Sequence, residues 1–362
     1  MICYDVYLIM SCKDWPIVSR SLPYIRKNLG ARNIVVVSSA EVLKNDLQGC
    51  LFLNEDEALL QSCGISFAAV KNYLEKLGAD QKNTGWYLQQ FLKLGISKIC
   101  KDDYYLVWDG DTVPLNPITF FSKKGRPCFT LKREYYEVYF RTIYNLFGIK
   151  KKVRESFISE HMFFNTAIAC EMLQKIENDK RYEGENFWQK ILSASSLLKP
   201  DSVKKDQRYF SEFETYGTYC DVFYHCFYNK RKLRTLRYGV DFLGASPSDE
   251  ILHWASKDFD TISFEQWGTP MPQMLKMVED SSHRSKMSFA NTIRKLYRDA
   301  RLNVFKSFPH INHKVFEFYL DVLLGKTHFD FFFGNKLAYK PNFWRVWIGR
   351  IKRYWLLFTY RF

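Results

Sequence analysis

The chain has 362 residues, 47% of them apolar and 17% aromatic, with a mean hydropathy of −0.30. Such a chain can bury a large core yet favours water, which excludes intrinsic disorder, and its length exceeds the ~150 residues of one ordinary domain. No run approaches the roughly 20 apolar residues of a spanning helix, and the net charge of +14 first suggests an anionic partner.

In chain order, residues 4–10 read as a β-strand and residues 17–28 as a helix. Asn33-Ile34-Val35-Val36-Val37 reads as a strand buried on both faces of a parallel sheet. The interval of about thirty residues between the strands is that of a βαβ unit. Leu88, Phe91, Leu92 and Ile99 recur at helical spacing and predict a helix over 86–99. The apolar strand Tyr104-Tyr105-Leu106-Val107-Trp108 follows and ends at Asp109-Gly110-Asp111. A further helix is expected over 167–176. Strand and helix alternate as in an α/β domain, whose ligands sit at the carboxyl ends of the strands. Residues 11–14, Ser38, Ser39 and residues 109–111 should therefore gather on one rim. No linker precedes about residue 281, which divides the chain into 1–280 and a C-terminal region, 281–362.

The charge lies mostly in that second region. From Arg284 onward there are 16 Lys and Arg against four acids, so the preceding residues carry only +2. Arg294, Lys295, Arg298 and Arg301 belong to a basic helical segment over 284–314. Residues 341–362 contain no acid; as a helix they place Trp344, Trp347, Ile348, Ile351, Tyr354, Trp355 and Phe358 on one face and Arg345, Lys352 and Arg353 on the other. A basic, aromatic helix of this kind is suited to an anionic membrane surface. A helix packed by its aromatic face onto the body is the competing reading. Met1-Ile2-Cys3-Tyr4-Asp5 lacks the basic start of a signal peptide. Nine scattered cysteines without a Cys-x-x-Cys pair read as buried small hydrophobes of a reducing compartment. The expected location is cytoplasmic, peripheral at the inner face of the plasma membrane.

Asp109 and Asp111 carry the strongest chemical signal. Two carboxylates one residue apart at a strand end can hold Mg²⁺ or Mn²⁺ while leaving positions open for phosphate oxygens, and Gly110 lets a diphosphate approach the backbone. Asp258-Phe259-Asp260 repeats the spacing without the glycine or a clean apolar strand. Gln90 and Lys93 lie three apart on one helical face, with Lys93 able to meet a phosphate as a point charge. Ser211 and Glu214 have the spacing of a capping box. That leaves Glu212 freer to act as a base on an acceptor hydroxyl, with Glu214 second.

Asp109-Gly110-Asp111 after a strand, with residues 85–93 (GWYLQQFLK), 158–166 (ISEHMFFNT) and 210–217 (FSEFETYG), resembles the GT-A nucleotide-sugar glycosyltransferases. The resemblance is to a bacterial family found among capsule, lipopolysaccharide and exopolysaccharide genes, and it covers about residues 3–270. It implies a GT-A, Rossmann-like nucleotide-sugar-binding domain followed by a basic helical C-terminal extension. It also implies Mn²⁺ or Mg²⁺ on Asp109 and Asp111 and a nucleoside-diphosphate-sugar donor, a UDP-sugar foremost. Ser11, Lys13, Asp14 and Ser39 would meet base and ribose, His161 and Asn165 would line the donor-sugar pocket, and either His225 or His253 would be a third metal ligand. The acceptor would be a glycan hydroxyl, lipid-linked where the tail meets the membrane; a base at Glu212 presumes inversion. The alternatives are a sugar nucleotidyltransferase, disfavoured by the Gly-free residues 11–14, and a nucleic-acid binder acting through the tail, disfavoured by a nearly neutral body.

Overall fold

The computed structural model describes residues 2–132, 136–196, 208–265, 268 and 270–307. Its strands are β1 (Val6–Ile9), β2 (Ile34–Ser38), β3 (Leu51–Asn54), β4 (Tyr104–Trp108), β5 (Thr112–Pro114), β6 (Cys128–Thr130), β7 (His161–Asn165), β8 (Asn229–Arg231), β9 (Thr235–Leu236) and β10 (Thr261–Ser263). The main sheet has the order β3-β2-β1-β4-β7. The first four strands are parallel and β7 runs antiparallel to β4, with Trp108 opposite His161 and Tyr104 opposite Asn165. This is the α/β, Rossmann-like arrangement expected of a GT-A domain.

β1, β2 and β4 are apolar because helices cover both faces of the sheet. The first crossover helix, Trp15–Asn28, starts earlier than periodicity predicts because Pro16 suits its first turn, and it buries Val18, Leu22 and Ile25. The helix expected over 86–99 runs as Thr84–Gly95, then tightens to a 3-10 turn at Ile96–Lys98. β3 escaped the sequence reading because it is an edge strand with weak burial, Leu51 being exposed. β7 escaped it because its few residues run straight into the Thr166–Glu177 helix.

β5 continues from Asp111 into a second sheet of order β5-β10-β9. Phe264 N–H donates to the Asp111 carbonyl over 2.8 Å, which fastens that sheet to the end of β4. A second core lies behind it, formed by Phe242, Trp254, Ile262 and Met274 with Phe289, Ile293 and Leu296. The last three belong to the Phe289–Ser307 helix, on which Arg294, Lys295 and Arg298 are exposed. The rest of the predicted basic segment, residues 308–314, and the aromatic stretch 341–362 lie outside the described residues. Among the described residues no helix is long and apolar enough to cross a membrane.

The Glu212–Phe223 helix packs unusually close to the segment before β7. A Cβ on Gly217 would come within 2.2 Å of Phe157 Cγ. Gly217→Ala should therefore displace Phe157 and lower stability by about 1–3 kcal/mol. The expected readout is a lower urea midpoint at unchanged slope.

Candidate active site

A cavity of about 510 Å³ opens at the carboxyl ends of β1 and β4. Asp109, Gly110 and Asp111 form part of its floor; Gln90 and Lys93 enter from the Thr84–Gly95 helix and Glu212 from the start of the Glu212–Phe223 helix. Lys93 Nζ lies 3.0 Å from Asp109 Oδ1 and 2.9 Å from Glu212 Oε1. Burial disfavours its charge, but the carboxylates of Asp109 and Glu212 outweigh that and raise its pKa. Its charge is thus shared with two acids of the cavity, so the point charge expected to meet a phosphate is one that Asp109 and Glu212 already hold in place. Gln90 accepts a hydrogen bond from Glu212 N–H through Oε1 at 3.4 Å.

The two carboxylates of the β4 turn differ. Asp109 is half-exposed beside Lys93. Asp111 has its pKa pushed up to about 7, by burial first and then by the charges of Asp109, Glu265 and Glu160. Glu160 and Glu265 also line the cavity. Glu160 pairs with Lys132 at 2.7 Å and Glu265 with Arg237. Each keeps one buried carboxylate oxygen without a hydrogen-bond partner. Glu212 has a raised pKa as well, because burial outweighs the help of Lys93.

Gly110 has a different task from the one its position suggests. A Cβ there would lie 2.7 Å from Val18 Cγ2, and its carbonyl accepts from Ser21 Oγ at 2.7 Å. The missing side chain makes room for the first crossover helix, whereas the sequence reading reserved that room for a diphosphate.

The other expected site residues divide between the cavity and the scaffold around it. Asp14 lines the cavity and takes the Ser11 N–H at 3.2 Å. Ser11, Lys13 and Ser39 do not line it. His161 is buried in the core, stacked on Trp108 with ring centroids 4.8 Å apart, and its Nε2 lies 2.9 Å from Thr130 Oγ1. Burial, then the charge of Arg231, lowers its pKa to about 3, so it is a neutral packing residue. Asn165 caps the Thr166–Glu177 helix by accepting from Ile168 N–H at 3.0 Å; antiparallel pairing carries it to the far end of β4 from Asp109. The neighbour of His161, Glu160, is the one that faces the cavity.

Glu214 is fully buried away from the cavity. Its carboxylate pairs with Lys151 and accepts from Ser156 Oγ at 2.6 Å and Phe157 N–H at 3.1 Å. Ser211 Oγ does accept from Glu214 N–H, at 3.3 Å, but the Glu214 side chain anchors residues 151–157, which removes it as a base. His225 and His253 are exposed and line no part of the cavity, so neither completes a metal site there. Among the described residues no three His, Cys, Asp or Glu side chains converge as ligands.

Residues 27–238 match the profile of DUF6492, a family of unknown function. The chain belongs to this family. No curated protein matches it significantly. Solved structures similar to this DUF6492 chain include mouse xyloside xylosyltransferase 1 in its apo form, at 12% identity and a TM-score of 0.37 over 75% of this chain and all of that one. Glycosyltransferase GlyE of Streptococcus pneumoniae is 9% identical with a TM-score of 0.34, over 83% of this chain and 64% of that one. Galactosyltransferase LgtC, solved with donor and acceptor sugar analogues, is 11% identical with a TM-score of 0.34, over 78% and 94%.

The state of Asp111 has a measurable consequence. Folding raises its proton affinity, so its contribution to stability is full below the ordinary carboxyl value of 3.8 and is lost as pH rises towards about 7. In metal-free buffer, Asp111→Asn should abolish this decline and be more stable than the parent at about pH 8. Urea unfolding between about pH 4 and 8 measures it, and parallel curves for the two proteins would refute the shift.

Proposed function

We propose that this chain is a divalent-metal-dependent glycosyltransferase. It moves a sugar from a nucleoside-diphosphate donor, a UDP-sugar foremost, to a hydroxyl of a bacterial surface glycan of the capsule, lipopolysaccharide or exopolysaccharide type. The observation that carries this reading is the meeting of Asp109 and Asp111 with Glu212 in one cavity, joined through Lys93.

Two carboxylates fit Mg²⁺ or Mn²⁺, which bind through few protein oxygens and fill the remaining positions from phosphate and water. Burial first, and then the neighbouring charges of Asp109, Glu265 and Glu160, disfavour the ionised form of Asp111, and a bound cation would offset both. Asp109 and Asp111 would hold it, and when bound it supplies positive charge to the departing nucleoside diphosphate. Glu212 accepts the proton of the acceptor hydroxyl. Burial raises its affinity for that proton, while the Lys93 ammonium 2.9 Å away fixes the carboxylate in place. A base so placed implies inversion at the transferred carbon. A nucleotidyltransferase is less well supported, since a 3-10 turn, Cys12–Asp14, follows β1 where a glycine-rich phosphate loop would be needed.

Thermal unfolding with UDP, GDP or CMP, with and without Mn²⁺, tests the donor site. A ligand at about 100 times its Kd stabilises the fold by about 2.7 kcal/mol. UDP with Mn²⁺ should raise Tm, and Asp111→Ala should lose the shift; no shift with any of the three nucleotides would overturn the reading. Glu212→Gln should keep the shift and lose about 10²–10⁴-fold in transfer rate. A product that retains the donor's configuration would remove Glu212 as base and leave the donor site standing.

The composition of residues 341–362, aromatic and free of acids, supports peripheral attachment to an anionic membrane, where a lipid-linked acceptor would be met. Removing them should leave UDP binding intact and weaken sedimentation with anionic liposomes. Equal sedimentation of the two proteins would refute attachment through this segment.

A further inference from the structure

The mouth of the cavity differs chemically from its floor. Trp86, Gln90 and Lys93 recur at helical spacing along the Thr84–Gly95 helix, so one stripe leads from the mouth inward to the partner of Glu212. Seven residues of helix span about 10 Å, a length suited to a sugar chain entering end-on. The guanidinium of Arg208 lies 5.1 Å from the Trp86 ring centre, and the cavity wall also carries Tyr136 and Tyr139, whose rings lie 5.1 Å apart. All four line the cavity. Trp86 is partly exposed and Tyr136 is 40% exposed, although large aromatics are usually buried. Arg208 Nε donates to Asn83 Oδ1 at 3.3 Å, which steadies the guanidinium above the ring.

We infer that this rim is the acceptor subsite, and that it takes a sugar ring carrying an anionic group beside it. The inference rests on the glycosyltransferase reading and names its second substrate. A pyranose presents an apolar C–H face that stacks on an indole or phenol, while its hydroxyl edge stays hydrated. The planar guanidinium of Arg208 suits a phosphate or carboxylate, which it can hold bidentately. Gln90, one turn along the stripe from Trp86, takes the Glu212 N–H, so a ring stacked on Trp86 is led towards the base, while the donor's diphosphate belongs with Asp111. A nucleobase would also stack on Trp86, but it would put the donor across the acceptor's path to Glu212. The anionic group is either the phosphate of a sugar phosphate or the carboxylate of a uronic acid.

Saturation-transfer NMR on the full chain, with Mn²⁺ replaced by diamagnetic Mg²⁺ and UDP present, tests this. The probes are methyl glucoside, glucose 1-phosphate and methyl glucuronide. At least one anionic probe should bind alongside UDP and more tightly than methyl glucoside; which of the two does so identifies the anionic group. Trp86→Ala should weaken it about tenfold, Trp86→Phe should largely restore it, and Arg208→Gln should abolish the preference for anionic over neutral sugar. Three results would each overturn the inference: no probe binding, displacement of the bound probe by UDP, or binding unaffected by Trp86→Ala and Arg208→Gln. UDP binding, followed on the same samples, separates the two failures. If UDP binds and the sugars do not, the rim is not the acceptor subsite. If the sugars bind and UDP does not, the donor reading falls and takes the acceptor role with it.

Discussion

The ammonium of Lys93 is the hinge of the candidate site. Burying a lone cation costs several kcal/mol unless partners replace its water, and here Asp109 and Glu212 do so, with the Phe213 ring 4.5 Å away. Because those acids come from a strand end and a helix start far apart in the chain, the strand, both helices and the turn must assemble together or the cation stays unpaired. The trio keeps one net negative charge. Asp109 is therefore shared between the interior lysine and whatever occupies the Asp111 side, and the two sides of the cavity are electrically linked through it.

Glu212 and Glu214 show how helix geometry separates two roles. At 100° per residue, side chains two positions apart point about 160° away from each other. One carboxylate faces the cavity and the other meets Lys151, Ser156 and the Phe157 amide. That second set of contacts ties the Glu212–Phe223 helix to the segment leading into β7, and with it the position of Glu212. Breaking the pair would leave an unbalanced charge in the interior, so the scaffold of the site is electrostatic on both faces of the helix.

Much of this could be read along the chain, and what could not has physical reasons. β4 and its acid pair were visible because a strand covered on both faces is continuously apolar and its end is marked by a turn. Lys93 and Gln90 were visible as one helical stripe, though a sequence cannot show whether a lysine on that stripe meets phosphate or protein carboxylate. The separation of Glu212 from Glu214 was foreshadowed by Ser211, which does cap the helix. His161 misled because burial among aromatics leaves no local trace in a short polar-apolar run, while the alternation of a strand did place its neighbour Glu160 on the other face. Glu265, Arg237 and Arg208 come from separate elements and reach the cavity only through tertiary packing. Their one signal was the presence of charged residues beside apolar elements.

The contact between Gly110 and Val18 sets where variation can be tolerated. The floor turn is wedged against the first crossover helix and fastened to it through Ser21, so a larger side chain at Gly110 would have to push Val18 and the helix that carries it aside. The mouth is held differently: Tyr136 and Arg208 are exposed, and Arg208 meets side chains at the start of one helix, Asn83 and Trp86. Change in a descending lineage would therefore collect in the outer wall of the cavity, with the floor inherited unchanged.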